Sequence, residues 1–168
     1  QLVEFLRDRL THVLGERGFA YDEVAAAMGA DSDSPLAFRA IAARTAALRG
    51  ARQEPDFAVV AQAAQRIART PKGSQAFTLT EAFCTLEAER ALRQAAVTLH
   101  DEILAARASL DFAAGLHRVR KLASPLEVLF KDVMVMDPDE RLKQNRIALL
   151  QSIQSEIRWL ADLSQIVV

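Results

Sequence analysis

Cysteine is almost missing from this sequence: Cys84 stands alone, so no internal disulfide can staple the fold, and a reducing compartment is the natural reading. Glycine and proline are sparse, at 6 and 5 of 168 residues, and aromatics make up 6%. Strands favour β-branched and aromatic side chains, so this mixture, rich in alanine, excludes a sheet-dominated fold and favours helices. Neither sign of charge is in excess: 21 Lys and Arg face 22 Asp and Glu, a net charge of −1. A protein that holds nucleic acid mainly through phosphates usually carries a basic excess, so composition leans against such a partner unless positive charge gathers on one face. No apolar run approaches the length of a membrane span and no signal-peptide pattern opens the chain. The expected location is the cytoplasm.

What is present is a 51% hydrophobic, 26% charged chain, enough to bury one sizeable core. Residues 1–168 read as a single helical domain. Because the chain starts at Gln1 and runs at once into a helical pattern, it reads as a C-terminal fragment of a longer protein. Leu2, Phe5, Leu6, Leu10, Val13 and Leu14 recur at helical spacing up to Gly15 and Gly18. Asp22 is expected to cap a second helix through Met28. Ser34 and Pro35 are expected to cap and open a third, which carries Leu36, Ile41 and Leu48. Pro55 and Asp56 open a fourth, with Phe57, Val60, Ala64 and Ile67 on one side, and a loop follows from Thr70 to Ser74. A long helix is predicted from about Thr80 to Ser109 and another from Leu110 to about Leu122, weakened by Gly115. Ser124-Pro125 predicts the start of a helix striped by Leu126, Leu129, Phe130 and Val133. Asp137-Pro138 predicts its end and the start of a last helix striped by Leu142, Leu149, Ile153, Ile157 and Leu160. The expected architecture is all-α, an antiparallel bundle of about seven or eight helices.

Catalytic chemistry is lacking. His12, His100 and His117 are far apart, and none has a carboxylate or thiol at metal-ligand spacing. Cys84 reads as a small core residue. No Gly-rich loop follows a strand, and Asp101/Glu102 and Asp139/Glu140 fit first helical turns or exposed faces. No nucleophile, base and orienting group assemble, so the domain itself is expected to be non-catalytic, with no cofactor or metal of its own.

Two basic clusters remain. Arg66, Arg69 and Lys72 step by three across the end of the fourth helix, and Arg141, Lys143 and Arg146 gather at the start of the last. Either suits phosphates, although solvated helix charge is the blander reading. Arg9 within the first apolar stripe and Asn145 at the edge of the last both require partners if buried. For Arg9 an internal carboxylate is expected, and for Asn145 the backbone of the Met136–Pro138 turn.

The run Leu126-Glu-Val-Leu-Phe-Lys-Asp-Val-Met-Val-Met136, followed by Asp139-Glu140, Leu142, Asn145-Arg146 and Leu149-Leu150, resembles a known family. It is similar to the DALR-type C-terminal anticodon-binding domain of class I arginyl-tRNA synthetases and of the β subunit of bacterial tetrameric glycyl-tRNA synthetase. Glu4-Phe-Leu-Arg-Asp-Arg-Leu10, Gly18-Phe19-x-Tyr21-Asp22, Glu87-Ala-Glu89-Arg90-Ala91-Leu92 and the ending Leu160-Ala-Asp-Leu-Ser164 resemble the glycyl β subunit. The Leu-Pro-x-x-Met tail of the arginyl enzymes is missing. Gln65-Arg66-Ile67-Ala68-Arg69-Thr70 departs from the family's usual Lys-Arg-(Val/Ile)-x-Asn-Ile, with Arg69 in place of the Asn.

The resemblance implies a domain that holds the anticodon end of tRNA-Gly for a separate catalytic α subunit, with ATP and Mg2+ used by the parent glycine-tRNA ligase in protein biosynthesis. On that reading Arg66, Arg69, Lys72, Arg141 and Lys143 position phosphates, while Arg9 and Arg146, if exposed, meet loop bases. Phe130, Asp132, Met134 and Asn145 are then structural motif residues. The alternatives are the same fold from an arginyl enzyme, or a helical protein-interaction module that binds no RNA.

Overall fold

The periodicities resolve into eight α-helices in a computed structural model that describes residues 2–30, 37–70 and 78–168, with no strand among the described residues. They are α1 (Leu2–Glu16), α2 (Tyr21–Met28), α3 (Phe38–Ala51), α4 (Pro55–Ala68), α5 (Glu87–Ser109), α6 (Phe112–Val119), α7 (Ala123–Asp132) and α8 (Glu140–Arg158). Short 3-10 turns cover Glu81–Phe83, Arg120–Leu122 and Leu163–Gln165. The all-helical bundle expected from composition is the fold observed.

Several starts and stops are set by side chains that the local pattern does not reveal. Gly18 ends α1 at φ 78, a left-handed turn that glycine adopts without a Cβ clash. α2 begins at Tyr21, not under an Asp22 cap: Glu23 reaches back to accept the Ala20 N–H at 3.0 Å, freeing Asp22 for other work. Ser34 and Pro35 lie outside the described residues. α4 starts with Pro55 at its first turn, where the missing N–H leaves nothing unsatisfied.

The long helix predicted from Thr80 instead breaks at Cys84–Leu86 and starts at Glu87. Glu89 accepts the Leu86 N–H at 2.8 Å, and Arg90 donates to the carbonyls of Cys84 and Thr85, which fixes the break. Leu110 does not open α6. It takes the left-handed conformation at φ 53 and closes α5, while Asp111 caps α6 by accepting the Ala114 N–H at 2.9 Å. Ser124-Pro125 starts nothing, because the turn at Arg120–Leu122 runs straight into α7 and Pro125 is absorbed in its first turn. Asp139 caps α8, accepting the Arg141 N–H at 2.9 Å.

α4 occupies the middle of the bundle, in contact with α7, α8 and the Leu163–Gln165 turn, while α5 packs on α6, α7 and α8 and α3 bridges α2 to α6. Phe57, Leu92, Leu116, Leu126, Leu149, Ile153 and Leu160 are buried where these helices meet. Burying each such side chain contributes roughly 1.5–3 kcal/mol. α1 differs: only Leu14 is buried and Leu10 packs partly against the core, while Leu2 and Phe5, at the amino end of its apolar stripe, are exposed at 71% and 65%.

Gly115, expected to weaken its helix, is there because α6 approaches Leu160 closely. A Cβ at this position would sit 2.5 Å from the Leu160 Cδ2 atom, and Leu160 is fully enclosed. For Gly115→Ala the gain in helix propensity, about 1 kcal/mol, meets an overpacking cost of about 1–3 kcal/mol. We expect a lower melting temperature for this variant; a rise would mean that Leu160 can rotate away.

The segment after α8 straps the bundle. Asp162 donates its N–H to the Ala26 carbonyl at 2.9 Å, Gln65 donates to the Ile166 carbonyl at 2.6 Å, and the Val167 N–H donates to Asp22 at 2.8 Å. Asp22 is 1% exposed and also grips Arg52 through two bonds of 3.0 and 2.5 Å. Burial pulls the Asp22 pKa upward, but Arg52 and the two backbone N–H groups outweigh it, holding the carboxyl below its ordinary value.

Candidate nucleic-acid interface

The last turn of α4 presents Arg66 and Arg69 on the surface. The Arg66 guanidinium lies over the Phe130 ring of α7, its central carbon 4.0 Å from the ring centroid. Neither arginine has a carboxylate partner among the described residues, so both charges remain available. Lys72 lies outside the described residues.

The cluster at the start of α8 is different, because its acids stand beside its bases. Arg141 pairs with Asp139 at 3.1 Å and Lys143 with Glu140 at 2.5 Å. Arg141 holds the Asp139 carboxyl below its ordinary pKa, and Lys143 followed by Gln144 does the same to Glu140. Both cations are therefore partly neutralised, although Arg141 remains 74% exposed at its side chain.

Arg146 is not a surface donor. Only 4% exposed, its guanidinium donates to Glu89, to Asp137 at 2.6 Å and to the Met134 carbonyl at 2.9 Å. Burial alone would favour the neutral form, but the two carboxylates outweigh it and keep the cation charged. Its fork ties α8 to the start of α5 and to the turn after α7. That withdraws it from the loop-base contact considered for an exposed arginine.

Asn145 does not bond the Met136–Pro138 turn as expected; Arg146 and Asp137 serve there. Asn145 is buried and accepts the Thr80 N–H at 2.7 Å, while its amide lies 3.6 Å from the Cys84 sulfur. It thus holds the broken entry to α5 against α8. Burial pushes the Cys84 thiol pKa up, in keeping with a core residue. Removing Asn145 strands a backbone donor, a cost of about 1–3 kcal/mol. Thermal melts of Asn145→Ala are expected to show that loss, with a smaller change in any RNA affinity; the reverse order would refute a structural role.

The Val-Met-Val-Met segment leaves helical geometry and alternates, with Val133 buried and Met134 and Met136 exposed at 66% and 52%. Met134 serves through its carbonyl, not its side chain. Asp132 is exposed at the end of α7 and makes no ion pair among the described residues. Arg9 is exposed on α1, and the internal carboxylate expected for it is not there among the described residues; Arg7 instead donates to the Met28 carbonyl at 2.8 Å. A buried cation that sequence reasoning misses is Arg44, 4% exposed, which donates to the Trp159 carbonyl at 3.1 and 3.2 Å over the Phe112 ring. Its place on the inner face of α3, four residues before Leu48 and three after Ile41, is the available signal.

Among the described residues no group of three His, Cys, Asp or Glu side chains converges as metal ligands would. His12 pairs with Glu16 at 3.3 Å and His100 with Glu156 at 3.0 Å, both at the surface. No helix among the described residues is long and apolar enough to cross a membrane.

Known proteins resemble this sequence along its whole length. The glycine-tRNA ligase β subunit of Desulforapulum autotrophicum is 36% identical over 170 residues, covering 99% of this chain and 24% of the relative. That of Moorella thermoacetica is 35% identical over 171 residues, again 99% and 24%. That of Desulforamulus reducens is 32% identical over 168 residues, 100% and 24%. The chain spans about a quarter of the length of the curated relatives it matches. The DALR anticodon binding domain model matches residues 59–164, from the middle of α4 through α8 to the Leu163–Gln165 turn. That stretch is more than half the sequence and holds the buried Arg146 and Asn145 contacts, so the chain belongs to the DALR anticodon-binding domain family.

Proposed function

We propose that this domain binds the anticodon end of tRNA-Gly as part of a glycine-tRNA ligase β subunit, holding the RNA for aminoacylation by a separate α subunit. The observation that carries the reading is the end-to-end similarity to β subunits, 36% identity across 99% of the chain. ATP and Mg2+ would be used by the parent enzyme; this chain shows neither a phosphate-cradling Gly-rich loop nor a carboxylate cluster among the described residues. A cytoplasmic setting fits a lone, buried, reduced Cys84.

Within the domain, Arg66 and Arg69 are the leading phosphate contacts because no acid among the described residues competes for them, and Arg141 and Lys143 are secondary because Asp139 and Glu140 already do. Arg9 is exposed and remains a candidate on α1. Phosphate contacts release counterions, so each makes affinity fall more steeply with salt. Binding of tRNA-Gly at two salt concentrations tests this. The wild-type chain is expected to bind, and Arg66→Gln/Arg69→Gln to weaken affinity and flatten the salt slope by roughly one for each phosphate no longer neutralised. An unchanged slope removes this cluster from the interface, and absence of binding by the wild-type chain at low salt removes the function.

A further inference from the structure

Resting on that reading, we propose that Arg66 is more than a phosphate contact: its guanidinium, held over the Phe130 ring, is a stacking platform for one unpaired base of the RNA loop, seated in the groove between α4 and α7. Four side chains make the groove suited to a nucleotide. Gln62 and Arg66, one turn apart, form the α4 wall; Phe130 and Lys131 form the α7 wall, over an apolar floor that includes Val59. Two cations and one acid, Glu127, line the opening, which favours an anionic occupant.

The chemistry divides among them. An arginine over an aromatic ring, here with its guanidinium carbon 4.0 Å from the centroid, loses rotational freedom, and Arg66 remains exposed to a ligand. Splayed loop bases stack on such guanidinium planes as they do on aromatic rings. Lys131, exposed beside Phe130, meets the phosphate of the same nucleotide, and the Gln62 amide, with both donor and acceptor, faces the base edge. Phe130 is therefore a positioning residue. Its sequence pattern suggests a purely structural part, and Lys131 and Gln62 carry no sequence signal because they come together only when α4 and α7 pack.

Binding of a tRNA-Gly transcript by the full chain separates plane from charge. Arg66→Lys keeps the cation and discards the plane, so affinity should fall at least about fivefold, the lower end of what losing a stacked base costs, while the salt slope stays as in wild type. Phe130→Leu keeps apolar volume and should produce the same signature, a weaker complex with an unaltered slope. Lys131→Gln should do the opposite, flattening the slope. Melting curves of each variant keep a folding defect from imitating the result. If wild type binds and Arg66→Lys binds equally well, the platform is overturned while the tRNA reading stands. If wild type does not bind at low salt, both fall together.

Discussion

Arg146→Ala is expected to be the most damaging surface-sparing substitution in this domain, lowering stability by about 3–5 kcal/mol. The reason is what remains behind. Glu89 is 1% exposed and would be left in the interior without its cation, and the Met134 carbonyl and Asp137 would lose a donor as well. For a chain of this size such a loss lowers the melting temperature by on the order of 10 °C. Arg146→Lys should fall between: it restores charge but cannot span two carboxylates and a carbonyl with a single ammonium group. Circular dichroism melts of the two variants measure this directly. An unaltered melting temperature for Arg146→Ala would mean that the buried network contributes nothing and that the residue is kept for another purpose.

Arg52→Met should produce the second largest loss, about 2–3 kcal/mol, smaller because Arg52 itself is 29% exposed and water can screen part of the change. Here too a buried carboxylate loses its cation: Asp22 accepts from both terminal nitrogens of the Arg52 guanidinium and would keep only its backbone donors, and Arg52 also donates to the Val167 carbonyl at 2.8 Å. The same contact predicts a pH dependence. The folded-state pKa of Asp22 lies below its unfolded value, so the unfolded chain binds the proton first as pH falls. The stabilisation is complete above the ordinary carboxylate range near 4 and is lost as pH drops through the lowered folded value. Wild type should therefore lose stability on acidification below about pH 4, and Arg52→Met should lose less over that window. Chemical denaturation at a series of pH values decides it; equal slopes for both proteins would exclude Asp22 as the titrating group.

The helices themselves are legible because their apolar spacing is local, and the family is legible because Phe130 to Leu150 is a gapless pattern. What escapes a reading of the sequence is tertiary in origin. Glu89 has two tasks, receiving the Leu86 N–H and the Arg146 guanidinium, and the second lies 57 residues away. A pattern that sees only neighbours therefore extends α5 back to Thr80. Asn145 is assigned by proximity to the nearest turn, while its partner Thr80 is 65 residues distant. α1 shows the converse limit: helical spacing reveals an apolar face but not whether anything covers it. The spacing of the basic residues places them along α4 and α8, yet it cannot distinguish the exposed Arg66 from Arg146, which is enclosed by acids. The Glu140–Lys143 pair, three residues apart on one helix, is readable in advance.

The strap formed by residues 162–167 has a consequence for synthesis on the ribosome. Its contacts return to Asp22, 145 positions earlier, and to Ala26 and Gln65. Chains emerge from the amino end, so α2 has its helix and its α3 neighbour long before it has the groups that satisfy Asp22 and the carbonyl of Ala26. Until residues 162–167 clear the exit tunnel, Asp22 and Arg52 each wait without Val167, one of three partners. Nascent chains arrested before Val167 emerges should therefore yield to protease in the α2 region, and gain protection only once residues 162–167 are free to dock.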